Sequence, residues 1–307
     1  MLESLFDARL ATTAHLSELH FEGRSESAKK RLGKLKAAGF IAERERRVNE
    51  PAVLSLTSRG LKALRDEGVL AKYPKVGIKS LSKRANVSEA TLKHELAVMD
   101  VRVAFHIGLR TATARKIAEF STWPRLSEFV ARRPGISHRE VLVQPDGFIR
   151  VEETEPDGSE VEHTFFLEVD QGTEILDTLA AKGACYLDYY RSGGFAVRNG
   201  HAPTDFQDFP FRVLMVFKTA ERRNLVADAL LRLIPPILTM VWLSTIEEVT
   251  KDPFGSIWIC PRDYREVTRG TTFDPERHPP KDVYRRQKAR ENLVEKSIKR
   301  LRLFDTA

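Results

Sequence analysis

With 307 residues, the chain is long enough for two domains of ordinary size, each burying its own core. Its hydrophobic fraction of 42% and charged fraction of 30% are those of a soluble globular protein, and no apolar run approaches the roughly 18–20 residues that cross a bilayer, so no membrane partner is expected. A net charge of +7 favours a polyanionic partner, while two cysteines outside any C-x-x-C pairing, Cys185 and Cys260, argue against a disulfide framework and a structural zinc site.

The N-terminus, MLESLFDARL, has acids where a signal peptide needs a basic region and an apolar centre, and a reducing cytoplasm is the expected compartment. Residues 3–10 and 12–21 each read as a short helix, the second capped by Thr12 or Thr13. In GRSESAKKRLGKLKAAGF, a break at Gly23 and a cap at Ser25 open a third helix over 26–38. Ala28, Leu32 and Leu35 recur at four- and three-residue spacing as its core stripe, which turns Lys29, Lys30, Lys34 and Lys36 elsewhere. Gly39 is placed to end the helix in the left-handed conformation. FIAERERRVNEPAVLSLTSRG then reads as two strands, 40–47 and 52–57, around an Asn49-Glu50-Pro51 turn, followed by a helix capped by Thr57 or Ser58.

Three helices, a hairpin and a closing helix make a winged helix-turn-helix over residues 1–70. Its third helix would lie in the major groove of double-stranded DNA, and Arg44, Arg46 and Arg47 stand where a wing meets phosphate. A lysine-rich helix alone is often a solvated face, and some winged helices bind only protein. What favours DNA is a basic helix in the recognition position with a basic hairpin behind it. Residues 71–88, with Lys72, Lys75, Lys79, Lys83 and Arg84, form a basic linker.

From residue 89 the order is helix, strand, strand, strand, helix. EATLKHELAVMDVRVAFHIGLRTA (89–112) has helical spacing, and KIAEFSTW (116–123) reads as a strand. A basic stretch with Arg125, Arg132, Arg133 and Arg139 follows, and Arg132 and Arg133 are candidate phosphate contacts. A hairpin, 142–154 with 161–171, turns at EPDGSE, and the next helix, 173–190, has Thr173 as its expected cap. Side chains alternate along a strand, so Ile149, Val151, Phe165, Leu167 and Val169 should share a core face. Asp146, Glu168 and Asp170 then share the opposite face, with Asp146 opposite or nearly opposite Glu168. Three carboxylates that converge cannot all stay ionised without a counter-charge. Such an oxygen-rich cluster suits Mg²⁺ or Mn²⁺, which could activate water and polarise a phosphoryl group. The same residues would equally serve as a structural acid cluster satisfied by caps and by arginines such as Arg150.

QPDG followed by FLEVD, on two strands flanked by helices in this order, resembles the PD-(D/E)XK nuclease superfamily. The N-terminal winged helix, the KHELAVMDV helix, the PDG strand and LEVDQGTE together resemble the replication-relaxation family of plasmid and mobile-element proteins, over roughly residues 5–245. By that resemblance Asp146 and Glu168 are metal ligands, and Asp170 stands where the superfamily places the lysine that orients the attacking water. Lys182, on the following helix, is the candidate replacement. Its bland alternative is a lysine snorkelling from a half-buried stripe.

The remaining sequence adds a strand at 211–217, a helix at 220–233, a strand near 237–243 and a last short strand in GSIWICP, with Trp242 and Trp258 as core residues. Residues 281–303 hold nine basic residues against three acids, a tail that could dock on the body, self-associate or follow phosphates. No G-x-x-x-x-G-K-[ST] loop or G-x-S-x-G elbow occurs, and the eight histidines show no metal-ligand spacing. The expected class is α/β (α+β): a winged helix at 1–70, a linker, a restriction-endonuclease-like αβββαβ core at 89–262 and a basic extension at 263–307. Two functions stay open. One is a double-stranded DNA-binding factor of plasmid or mobile-element replication or mobilisation, with a non-cleaving core. The other is a Mg²⁺- or Mn²⁺-dependent endonuclease using Asp146, Glu168 and Asp170. Partnership with replication or mobilisation proteins is implied by the resemblance, and a homodimer is left open.

Overall fold

The computed structural model describes residues 1–72, 85–123, 127–133, 140–269 and 280–304. Lys75, Lys79, Lys83 and Arg84 of the expected linker, and Arg125 and Arg139, lie outside the described residues. The chain is an α/β protein of two compact units, residues 1–112 with 120–123, and residues 113–119 with 124–307.

The first unit opens with α1 (Leu2–Ala8), β1 (Leu10–Thr12), α2 (Thr13–Phe21), α3 (Ser25–Ala37), β2 (Ile41–Glu43), β3 (Val53–Leu56) and α4 (Ser58–Asp66). Thr12 caps α2 in a reciprocal box, its hydroxyl accepting from the His15 amide at 3.1 Å while His15 Nδ1 accepts from the Thr12 amide at 3.3 Å. Ser25 does not cap α3. The helix begins at Ser25 itself, and Arg24 at the N-cap makes no side-chain bond to it. Ala28 and Leu32 are buried, and Leu32 packs with Leu5, Leu16, Ile41 and Leu54. Gly39 sits at φ +73°, the left-handed position that releases the chain toward β2. Thr57 accepts from the Gly60 amide at 3.1 Å and so caps α4.

The sequence showed no β1, because three residues between two helices carry too little alternation to be read. It pairs antiparallel with β3, Leu10 opposite Ser55 and Thr12 opposite Val53, and β2 pairs with the other edge of β3. β2 is also shorter than expected, ending at Glu43 before the arginines. Helix α5 (Glu89–Leu109), capped by Ser88, groups with this unit: Met99 joins the cluster around Leu32, and Leu92 packs on Leu10 and Val53.

The second unit is built on a five-stranded sheet, order β10-β9-β8-β7-β4, from β4 (Arg115–Ser121), β7 (Gly147–Thr154), β8 (Glu160–Asp170), β9 (Arg212–Phe217) and β10 (Val241–Thr245). β5 (Phe129–Arg132) and β6 (Glu140–Val143) form a separate antiparallel ribbon, which the expected 142–154 strand had absorbed in part. β7 and β8 are antiparallel, whereas β8, β9 and β10 run parallel. Strands covered on both faces read as nearly continuous apolar runs, as RVLMVF in β9 does. The helices here are α6 (Leu176–Arg191), α7 (Gly194–Arg198), α8 (Ala220–Leu231), α9 (Ile246–Lys251), α10 (Pro261–Thr268) and α11 (Pro280–Ser297). Helix α6 starts at Leu176 with Ile175 as its N-cap, so the Thr173 cap is not used.

Ile149, Val151, Phe165, Leu167 and Val169 are all buried on one sheet face, as alternation requires. The opposite face is not left open. Phe148, Phe166, Val213, Met215 and Phe217 lie on it and form the principal core with Leu179 and Tyr186 of α6 and Leu230 of α8. Close packing needs Gly183, where a Cβ would fall 2.7 Å from Leu230 Cδ2. The basic tail docks on this unit. Val294 and Ile298 enter the same core, and Trp258 and Leu301 exchange backbone hydrogen bonds of 3.1 and 2.7 Å. Arg223, fully buried, is held by Glu248 and by Glu295 from α11.

Candidate functional site

The register of the β7–β8 pair, Gly147 opposite Leu167, places Asp146 opposite Glu168, one rung beyond the end of β7. Asp146 extends the ladder by donating its amide to the Leu167 carbonyl at 3.0 Å, and its Oδ2 accepts from the Val169 amide at 2.8 Å. The half-buried Asp146 carboxylate is thereby pinned across the strand that carries Glu168.

Glu168 lies beneath α6 at 2% exposure. Tyr186 and Lys182, one helical turn apart on α6, both reach it. Tyr186 donates its hydroxyl to Oε1 at 2.6 Å, and Lys182 Nζ lies 3.0 Å from Oε2. Lys182 also donates to Glu174 Oε1 at 2.9 Å. Burial would lower the Lys182 pKa, but the carboxylates of Glu168 and Asp146 outweigh it and hold the ammonium charged. Glu168 is the deeper member of the pair. Burial pushes its pKa up to about 7 despite the ammonium, and the Asp146 charge pushes the same way. The Tyr186 hydroxyl is raised well above its ordinary range by burial and by the same carboxylate, so it stays protonated and donates to Glu168.

Asp170, two residues along β8 on the same face, faces a different partner. Arg222 of α8 donates to its Oδ2 at 2.7 Å and also bonds the Glu174 carbonyl, while the Gly172 amide donates to Oδ1 at 3.0 Å. Both Asp170 oxygens are occupied, and the three carboxylates do not share one focus. Among the described residues no group of three His, Cys, Asp or Glu side chains is placed to hold a metal ion. The three-ligand set therefore does not fit a divalent cation; Asp146 and Glu168 remain as a two-carboxylate pair. Arg150 is not their counter-charge. It lies 3.8 Å from Glu119 and 3.6 Å from Glu162, and bonds Asn199 at 3.2 Å. In the turn between β8 and α6, the buried Gln171 Nε2 and Glu174 Oε2 have no hydrogen-bond partner among the described residues.

Glu174 and Arg222 were missed in the sequence. Glu174 lies in the turn before α6 and pairs with Lys182 eight residues on. Arg222 sits 52 residues from Asp170, and no local pattern links them.

In the first unit, α3 turns Lys29, Lys30, Arg31, Lys34 and Lys36 to solvent. Lys29 is paired with Glu26 at 2.7 Å, and Lys36 with Glu43. Arg46 lies 3.0 Å from the same Glu43, and Arg44 donates to the Val87 carbonyl at 3.1 Å. Lys30, Arg31, Lys34 and Arg47 are exposed and make no ion pair with a described residue. Arg132 is exposed at the end of β5, with its amide bonded to Asp188 at 2.9 Å, and Arg133 beside it is half-buried.

Fold and site together define an α/β protein with a basic helical N-terminal unit and a sheet whose β7–β8 end gathers Asp146, Glu168 and Lys182. The chain belongs to the replication-relaxation family, whose family model matches residues 2–204 of 307, more than half of its length. That membership supports a role in replication or mobilisation. Comparison with curated proteins and with solved structures finds no match. No helix among the described residues is long and apolar enough to cross a membrane.

Proposed function

We propose that this chain is a double-stranded DNA-binding protein of replication or mobilisation, which reads duplex DNA with α3 as the recognition helix of a winged helix and grips phosphates with the β2–β3 wing. The observation that carries this reading is the division of α3 into two faces. Ala28 and Leu32 are buried, and Lys30, Arg31 and Lys34 stand exposed without acid partners among the described residues. The element order α1-β1-α2-α3-β2-β3, with β3 between β1 and β2, supports the winged-helix reading. Arg47 on the wing, and Arg132 and Arg133, are the further phosphate contacts. Lys29, Lys36, Arg44 and Arg46 would have to exchange present partners for phosphate. The test is duplex binding against salt. Each lost phosphate contact lowers the slope of log affinity against log salt by about 0.9. Lys30→Gln with Lys34→Gln is expected to lower it by about two contacts' worth; a folded variant with unchanged slope would remove α3 from the interface.

A second reading is favoured by Lys182. An ammonium at Glu168 Oε2, next to Asp146, supplies from α6 the lysine that β8 lacks. In that reading the core is nuclease-like. Asp146 and Glu168 would hold Mg²⁺ or Mn²⁺ only after Tyr186 or Lys182 releases a Glu168 oxygen that it now bonds; the ion would then polarise the phosphodiester, and Lys182 would orient the attacking water. The order β4, β7, β8, α6, β9 supports it. Supercoiled plasmid nicked by the native protein, with nicking lost in Asp146→Ala and Lys182→Ala, would establish it. No nicking under either metal leaves the core a scaffold.

A further inference from the structure

Helix α11 sorts its charges as it docks. Arg290 turns inward and makes two hydrogen bonds to Asp228, 2.7 and 2.8 Å long, with its guanidinium over the Tyr264 ring. Glu295 binds the buried Arg223 and also Arg300. Glu291 is half-buried beside Gln287. Both described acids of the helix are thus engaged, Glu291 with Gln287 of its own helix and Glu295 with two arginines, while Val294 enters the core.

Among the described side chains, the row opposite Val294 holds only cations and neutral groups. Arg285, Lys288, Asn292 and Lys296 follow one another at three- and four-residue spacing, and all are exposed. They cover about three turns, or roughly 16 Å of helix. Arg286 flanks the row and Lys299 follows it, both exposed. Arg285, Arg286, Lys296 and Lys299 make no ion pair with a described residue, and Lys288 lies over the exposed Tyr284 ring. A surface selected only for solubility mixes charges of both signs. One sign sustained over three turns, with both described acids of the helix already paired or hydrogen-bonded, makes a local field suited to a row of phosphates.

We propose that the outward face of α11 is a second DNA-binding surface, which tracks the phosphodiester backbone without reading bases. It rests on the reading of this chain as DNA-binding, but not on α3. The contacts would be charge-assisted bonds from Arg285, Lys288 and Lys296 to phosphate oxygens, joined by Asn292. Such a surface adds affinity and salt dependence with little sequence preference.

The test uses the full chain and a duplex of fixed sequence, with affinity measured from low to moderate salt. The variant Arg285→Gln/Lys288→Gln/Lys296→Gln changes only exposed side chains and is checked for native melting. A control variant, Lys62→Gln/Lys218→Gln/Lys251→Gln, removes the same charge from exposed positions elsewhere. Expected is an affinity loss on the order of tenfold or more, with a slope reduced by about two to three, for the α11 variant alone. Equal losses in the control, or unchanged binding in the α11 variant while the Lys30/Lys34 variant weakens, would overturn the proposal and leave the α3 reading standing. Loss in the α11 variant with none in the Lys30/Lys34 variant would support it and remove α3. A native chain that binds no duplex at any salt would overturn both.

Discussion

Tyr186 donates its hydroxyl to Glu168 Oε1 across 2.6 Å in a fully buried contact, and it does so from the same helical face that brings Lys182 to Oε2. The carboxylate is thus clamped from one helix, on the sheet face that carries the principal core. Removing one donor leaves a buried acceptor short of a partner, which costs about 1–3 kcal/mol. Tyr186→Phe is expected to lower unfolding free energy by that amount in urea, with little change in m value.

Glu168 gives a pH signature. Its folded pKa, raised to about 7 by burial, lies above the ordinary carboxylate value of 4.5. The folded state therefore favours the protonated form, and ionised Glu168 costs stability above that range. Glu168→Gln mimics the protonated form. It is expected to match the native protein near pH 4, below the unfolded value, and to melt a few degrees higher at pH 8. A variant that melts lower at pH 8 would show that the ion pair with Lys182 outweighs burial.

Arg222 and Asp170 form a second, separate pair, with Asp170 at 5% exposure. Breaking such a pair from one side strands a buried charge, at a cost of about 3–5 kcal/mol. Arg222→Gln should show that loss in chemical denaturation, and Arg222→Gln/Asp170→Asn should recover part of it. Purely additive losses in this double-mutant cycle would mean that the pair is not coupled.

The first unit carries the opposite dependence. Burial lowers the pKa of both His20 and His106 from 6.5 to about 4, helped at His20 by the N-terminal charge and Arg102, and at His106 by Arg102 and by His20. A histidine whose folded pKa is lowered contributes fully above its unfolded value, and that contribution drains away as pH falls from 6.5 toward 4. Melting followed from pH 7 to 4.5 should show a decline that His106→Gln makes shallower.

The pairing of Asp146 with Glu168 was legible because strand alternation and the turn at Asp157 leave few registers. Lys182 was legible because its spacing from Leu179 and Tyr186 fixes a helical face. What alternation could not show was that the carboxylate face is itself the main core face, since its cover comes from α6 and α8 rather than from the strand's own pattern. Asp170 stayed ambiguous for the same reason: its partner is set by how α8 packs. β1 and the β5–β6 ribbon are three and four residues per strand, too short for periodicity to separate from loop. The Thr173 cap is not used: the helix starts at Leu176, two residues beyond Glu174, whose carbonyl Arg222 holds.

The stretch by which the family is recognised ends at Thr204, yet β8 is bonded to β9 from Phe165 to Asp170, and β9 begins only at Arg212. A fragment cut at the family boundary would expose the inner edge of β8 as a bare row of amides and carbonyls beside an apolar face, a template for self-pairing. Recognisable length and foldable length therefore differ in this protein, and fragments meant to isolate the Asp146–Glu168 pair need to run through residue 303 to keep that edge and the core covered.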